Sequence, residues 1–331
     1  MRSTLGLVAA LSLATFVSAS APFAALGQAK EKTLSVTVHA GKSDSPNYQL
    51  ARQFSEALVL AGNGAFALDV KESQGSVRNV MDAPRSAPNS IFTASRSVIR
   101  QARRGAKPFS SNPGYYDIRA LFPIPFQTVH WVVRQDSGIQ AVADLAGHSF
   151  IPGNKGSISE RLTAAVLQSL SIEKKVQLID IDVGAAPSAV MDNRVSGLAI
   201  AGSYPVSMVA DIAKATPIRL LGLEPSEMAK ILAADDSVVE QVVPGGTYPG
   251  IDQDVATIAV PAGAYTTVRM SAGTAYALTK AFWSQLSALA ERNPAWRAIA
   301  AAALPALGIR LHPGALRYYT EAGIPVPSAL R

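Results

Sequence analysis

Four short loops carry the residue types that could hold or transform a small molecule. Ala40-Gly41-Lys42-Ser43 has the form of the end of a phosphate-binding P-loop, but the first glycine of that pattern falls at Val36, so nucleotide hydrolysis is not expected. Gly153-Asn154-Lys155-Gly156-Ser157 runs into Ile158-Ser159-Glu160. There Ser157 and Glu160 have capping-box spacing, the serine serving the amide three residues on and the glutamate reaching back. Glu72-Ser73-Gln74-Gly75-Ser76-Val77 and Gly202-Ser203-Tyr204-Pro205 are also small and polar. Each loop follows a strand pattern and opens a helix pattern. Unpaired N–H groups and the positive end of a helix dipole favour an anion at such places, and at least one of the four is expected to be an ordinary turn.

Catalytic patterns are weaker. Gly-x-Ser-x-Gly and His-Glu-x-x-His do not occur. The histidines His39, His130, His148 and His312 are scattered, and His130, inside an apolar strand pattern, reads as a hydrogen-bonded core residue. Glu72 and Asp44 are the obvious acids of the candidate loops, with no paired carboxylates to act as acid and base. With no cysteine, Cys-ligated zinc, iron–sulfur clusters, a thiol nucleophile and disulfides are excluded. Neither a metal nor a cofactor is implied. The net charge of +6 would permit nucleic-acid binding. However, the basic run Arg100 to Lys107 lacks interleaved aromatics and reads as a solvated helix end, so no nucleic-acid partner is expected.

The elements that position these loops alternate. Thr33 to Val38 is a strand pattern, Leu50, Phe54, Ala57 and Leu58 mark an amphipathic helix, and Phe66 to Val70 is the next strand. A second series begins with the strand Thr128 to Val133, a short helix over Val142 to Leu145 and a helix bearing Leu162, Val166 and Leu170. It continues with the strand Gly197 to Ala201, the turn-rich stretch 242–250 and the strand Val255 to Val260. Helices around Leu278 to Leu289 and Ala315 to Tyr319 close the chain. The alternation predicts an α/β fold with parallel sheet.

The 331 residues suffice for about two domains. At the N-terminus, Met1-Arg2 precedes the thirteen-residue apolar run Leu5 to Val17 and a stretch of small residues. That is the make-up of a secretory signal, predicted over 1–29, with the mature chain starting near Gln28 or Lys30.

Longer motifs carry a resemblance. Val132 to Gly147, Val243-Pro244-Gly245-Gly246-Thr247-Tyr248-Pro249-Gly250-Ile251-Asp252-Gln253-Asp254-Val255 and Leu311-His312-Pro313-Gly314-Ala315-Leu316-Arg317-Tyr318-Tyr319 resemble the TAXI family. Glu72 to Val77 with Asn79, and Gly156 to Glu160, fit the same pattern. The TAXI proteins are extracytoplasmic solute receptors of tripartite ATP-independent periplasmic (TRAP) transporters. Two stretches depart from the family: 43–49 keeps only Tyr48 of a tyrosine pair, and Ala94-Ser95-Arg96 stands where Gln-Ser-Asp is usual.

The resemblance implies a type II periplasmic-binding-protein fold of two lobes joined by a two-segment hinge. Lobe 1 would comprise 30–128 and 251–331, and lobe 2 would comprise 129–250. The implied function is capture of a small carboxylate-bearing solute in the interlobe cleft and its delivery to TRAP membrane subunits, by a monomer in the periplasm. The implied ligand-binding groups are Ser43, Asn47, Tyr48, Gly75, Ser76, Gly156, Ser157 and Ser159, with Ser203 and Tyr204 on the far wall and Lys42, Arg96 and Lys155 as counter-ions. Two alternatives stay open: a ligand-sensing receptor for a membrane sensor kinase, and a hydrolytic enzyme using the same cleft.

Overall fold

The computed structural model describes residues 33–43, 45–181 and 184–331. The expected signal sequence, its cleavage point and Asp44 lie outside the described residues. No helix among the described residues is long and apolar enough to cross a membrane.

The chain opens with strand β1 (Leu34–His39), helix α1 (Pro46–Ala61), β2 (Phe66–Lys71), α2 (Ser76–Asp82), β3 (Ser90–Ser95) and α3 (Arg96–Arg103). Ser45 starts α1 by accepting the Tyr48 amide, and Leu50, Phe54 and Leu58 bury one face of it. The long β4 (Ile118–Arg134) follows, then β5 (Ser149–Ile151), α4 (Ile158–Ser169), β6 (Gln177–Leu178), α5 (Ala186–Met191) and β7 (Gly197–Gly202). Next come α6 (Ser207–Ala215), β8 (Ile218–Leu221), α7 (Pro225–Ala234), β9 (Val239–Val243) and the second long strand, β10 (Val255–Thr267). The chain closes with α8 (Ala272–Ser284), α9 (Leu286–Arg292) and α10 (Pro313–Glu321).

The strands form one sheet in the order β2-β1-β3-β10-β4-β7-β5-β6, with β8 also on β4 and β9 also on β10. β1 runs parallel to β2 and β3, and β5 runs parallel to β6 and β7. The ladders made by β4 and β10 are antiparallel. Thus two parallel α/β units flank a central antiparallel pair.

The apolar side chains gather accordingly. One core holds Val36, Phe54, Ile91, Phe122, Phe282 and Trp296. The other end of the sheet has a cluster on each face: Trp131, Phe150, Leu162 and Ile258 in one, Val132, Leu198, Val209 and Tyr248 in the other. Alternation along β4 sends Trp131 and Val132 to opposite faces, and helices cover both. Each end of the one sheet, with its core and helices, forms a lobe in this description, and β4 and β10 cross from one to the other. Ile124 and Ala262 belong to the first core, Val129 and Val260 to the second.

At the crossing the ladder slips. Val260 faces Gln127 and Ala262 faces Ile124, so Pro125 and Phe126 oppose Pro261 alone. This is a β-bulge at residues that include two prolines, which cannot donate to the ladder. The same prolines explain why the pattern showed only 128–133 and 255–260 as strands: each is the far half of a longer element interrupted at the crossing. The single helix expected over Leu278 to Leu289 is two helices, because the chain breaks at Gln285 between α8 and α9.

Candidate functional site

A cavity of about 630 Å³ opens between the two lobes. Asn47, Gln74, Ser76, Val77 and the α3 residues Ser97, Val98, Arg100 and Gln101 wall it on the first lobe. Gly156, Ile158, Arg161, Asp235, Asp236 and Ser237 wall it on the second. Gln127 and Val260 with Ala262 form its hinge side, on the two crossing strands. Val77 and Ile158, 36% and 38% exposed, come from opposite lobes and leave the lining partly apolar.

The loops reach this cavity for local reasons. Gly75 adopts a left-handed φ of 86° that a side chain would strain, and it turns the chain from β2 into α2. The buried Asn79 donates to the carbonyls of Ala40 at 2.7 Å and Thr93 at 2.9 Å, tying the ends of β1 and β3. β3 leads directly into α3 at Ser95, whose side chain makes no cap, so the first-turn amides of α3 have no side-chain acceptor from that residue. The hydroxyls of Ser95 and Ser97 bond each other at 3.0 Å.

The predicted ligand-binding residues separate into groups. Asn47, Ser76 and Gly156 line the cavity, and Asn47 Oδ1 accepts from Gln127 Nε2 at 3.4 Å. Gly75 adjoins it, with its amide donating to Ser73 Oγ at 3.1 Å. Ser157 caps α4 by accepting the Glu160 amide at 3.1 Å, as its spacing predicts. The Glu160 carboxylate accepts the amide of Gly156, one residue before the cap, so a negative side chain covers that helix end. Ser159 is buried and accepts the Ala201 amide at 2.8 Å.

Ser203 and Tyr204 lie at the hinge rather than on this cavity. Ser203 donates to the Phe126 carbonyl at 3.0 Å, and the Tyr204 hydroxyl accepts from Gln241 at 3.1 Å. Tyr48 directs its hydroxyl to the Val70 carbonyl at 3.4 Å on the outer side of the first lobe. Ser43 uses its carbonyl to accept from Gln49, and its side chain is exposed. Lys42 lines a separate cavity of about 540 Å³ with His39, Arg78 and Arg85, and Lys155 is exposed.

Arg96 spans the lobes. Its guanidinium donates to the carbonyls of Asp236 at 2.9 Å and Val238 at 3.2 Å, and burial lowers its pKa. Of the basic run read as a solvated helix end, Arg100 and Arg103 are engaged while Arg104 and Lys107 stay exposed. Arg100 forms an ion pair with Asp236 and donates to its carbonyl at 3.4 Å, with Arg104 4.0 Å from the same carboxylate. Arg103 donates to the carbonyls of Tyr115 and Ile118. Sequence reasoning missed Arg100, Arg161 and the pair Asp235 and Asp236. The signal was the spacing Arg96, Arg100, Arg104, which places three guanidiniums along one helix face. Arg161 pairs with Asp235 at 3.0 Å within the second lobe. Among the described residues no three His, Asp or Glu side chains gather as a metal site would require.

The chain belongs to the NMT1-like family, whose model matches residues 29–323. Its fold is similar to several solved structures at low identity. One is BugD, a periplasmic binding protein (13% identity, 88% of this chain and 98% of that one, TM-score 0.49). Another is MatC of Rhodopseudomonas palustris with bound malate (13%, 83% and 88%, TM-score 0.47). A third is the periplasmic aliphatic sulphonate binding protein SsuA of Escherichia coli (12%, 88% and 89%, TM-score 0.45).

Proposed function

We propose that this protein is a periplasmic solute-binding receptor of the TAXI type that captures a small carboxylate-bearing solute between its lobes and hands it to TRAP membrane subunits. The observation that carries the reading is the cavity walled by both lobes, with the first turn of α3 and Arg100 on one side. A carboxylate there would meet backbone amides and a guanidinium, each charge-assisted bond contributing about 1.5–3 kcal/mol. Val77 and Ile158 would close on the hydrocarbon part of the solute.

The lobes on this reading are 33 to about 126 with 262–331, and about 127–261. The second border follows the core change between Val260 and Ala262 rather than the turn-rich stretch at 250. Closure would then be a bend at the bulge beside Pro125 and Pro261. The TRAP partner and the TAXI assignment rest on the sequence motifs at 72–79, 243–255 and 311–319.

Among the described residues, both aspartates on the cavity wall stand in ion pairs and no histidine lines it, so binding without turnover fits its chemistry better than hydrolysis. Thermal-shift screening against carboxylates, amines and neutral solutes tests the reading. Carboxylates are expected to raise Tm, and stabilisation by neutral or cationic solutes alone would overturn the assignment.

A further inference from the structure

Two adjacent aspartates of the second lobe have different attachments. Asp235 pairs with Arg161 of its own lobe, whereas Asp236 places its carboxylate on Arg100 of α3 across the cavity. The Asp236 carbonyl receives Arg96 and Arg100 as well. The Asp236 side chain is 60% exposed and that of Arg100 28%, so the pair sits at the mouth of the cavity with the cation as its more enclosed member. An exposed ion pair is weak and therefore exchangeable.

We propose that Asp236 is a resident carboxylate: in the ligand-free protein it occupies Arg100 and latches the cavity mouth, and an anionic solute enters by taking its place. This rests on the carboxylate reading above. Exchange of one carboxylate for another leaves Arg100 partnered throughout. A neutral solute that parted the pair would leave a partly enclosed guanidinium without its counter-charge, so the latch selects for anions by penalising everything else.

The test compares purified wild type with Asp236→Asn and with Asp211→Asn, which removes a somewhat more exposed carboxylate on α6 that pairs with Lys214 away from the cavity. Because Arg96 also holds the Asp236 and Val238 carbonyls, small-angle scattering without ligand should give a larger radius of gyration for the double variant Arg96→Gln/Asp236→Asn than for Arg96→Gln, and no change for Asp211→Asn. Calorimetric titration with succinate, glutarate and L-glutamate as probes should give a Kd for Asp236→Asn lower by about two- to fivefold, the worth of an exposed ion pair. Equal radii for Arg96→Gln/Asp236→Asn and Arg96→Gln overturn the latch, and an equal or weaker Kd for Asp236→Asn overturns the exchange. If no probe binds either protein, the carboxylate reading fails and the scattering comparison alone decides the latch.

Discussion

The Tyr248 hydroxyl donates to Nε2 of His130 at 3.0 Å, joining the loop after β9 to the strand that crosses between the lobes. The tautomer follows from the other nitrogen: His130 Nδ1 donates to the Thr128 carbonyl at 3.0 Å, so Nε2 is the acceptor. The tyrosine oxygen in turn accepts the Val206 amide at 2.8 Å. Tyr248→Phe removes a donor and an acceptor at once and leaves the His130 nitrogen buried and unpaired. The expected cost is about 1–3 kcal/mol, seen as a lower urea midpoint with an unchanged slope.

His130 also sets a pH dependence. It is 2% exposed, and burial pushes its pKa down to about 4 from the ordinary 6.5. The unfolded chain therefore takes up this proton first. The stabilisation is fully present above pH 6.5 and is lost as pH falls toward 4, by about 3 kcal/mol in all. Burial lowers the pKa of His39 and His312 too, which adds to the same slope. Urea midpoints between pH 7 and pH 5 should fall, and His130→Gln should flatten part of that fall. An equal slope in the variant would assign it elsewhere.

Arg100→Gln should weaken carboxylate binding by about tenfold or more, the worth of a charge-assisted bond. Lys42→Gln and Lys155→Gln should leave Kd within about twofold, since Lys42 faces another cavity and Lys155 faces solvent. Calorimetry on the three variants with one carboxylate decides which cations meet the solute.

Gly314 lies against α8, where an added Cβ would stand 2.0 Å from the Ala272 carbonyl oxygen and 2.7 Å from the Tyr276 nitrogen. Gly314→Ala must push α10 off α8, at an expected cost of about 1–3 kcal/mol. A thermal midpoint equal to wild type would show that the helix contact yields freely.

Much of the fold was legible because its local chemistry is repetitive. The α1 stripe, the Ser157 cap and the apolar setting of His130 depend on residues a few positions apart. The motif at 311–319 also has a local account: His312 Nδ1 accepts the Gly314 amide, Nε2 donates to the Met270 carbonyl, Pro313 opens α10 and Gly314 permits the helix contact. The cavity was harder to read because its walls are assembled from distant segments. Ser203 and Tyr204 follow a strand and precede a helix, as Asn47 and Ser76 do, yet the strand order carries them to the hinge. Nothing near Arg100 in the chain foretells Asp236, 136 residues away.

The crossing strands have one more consequence. Pro123, Pro125 and Pro261 supply no amide hydrogen, so the ladder between the lobes lacks rungs where their cores change over. A bend placed there would change a single angle and leave the ladders on either side intact. On the proposed function, a membrane partner touching both halves would read the presence of solute as one number, the tilt of one half against the other.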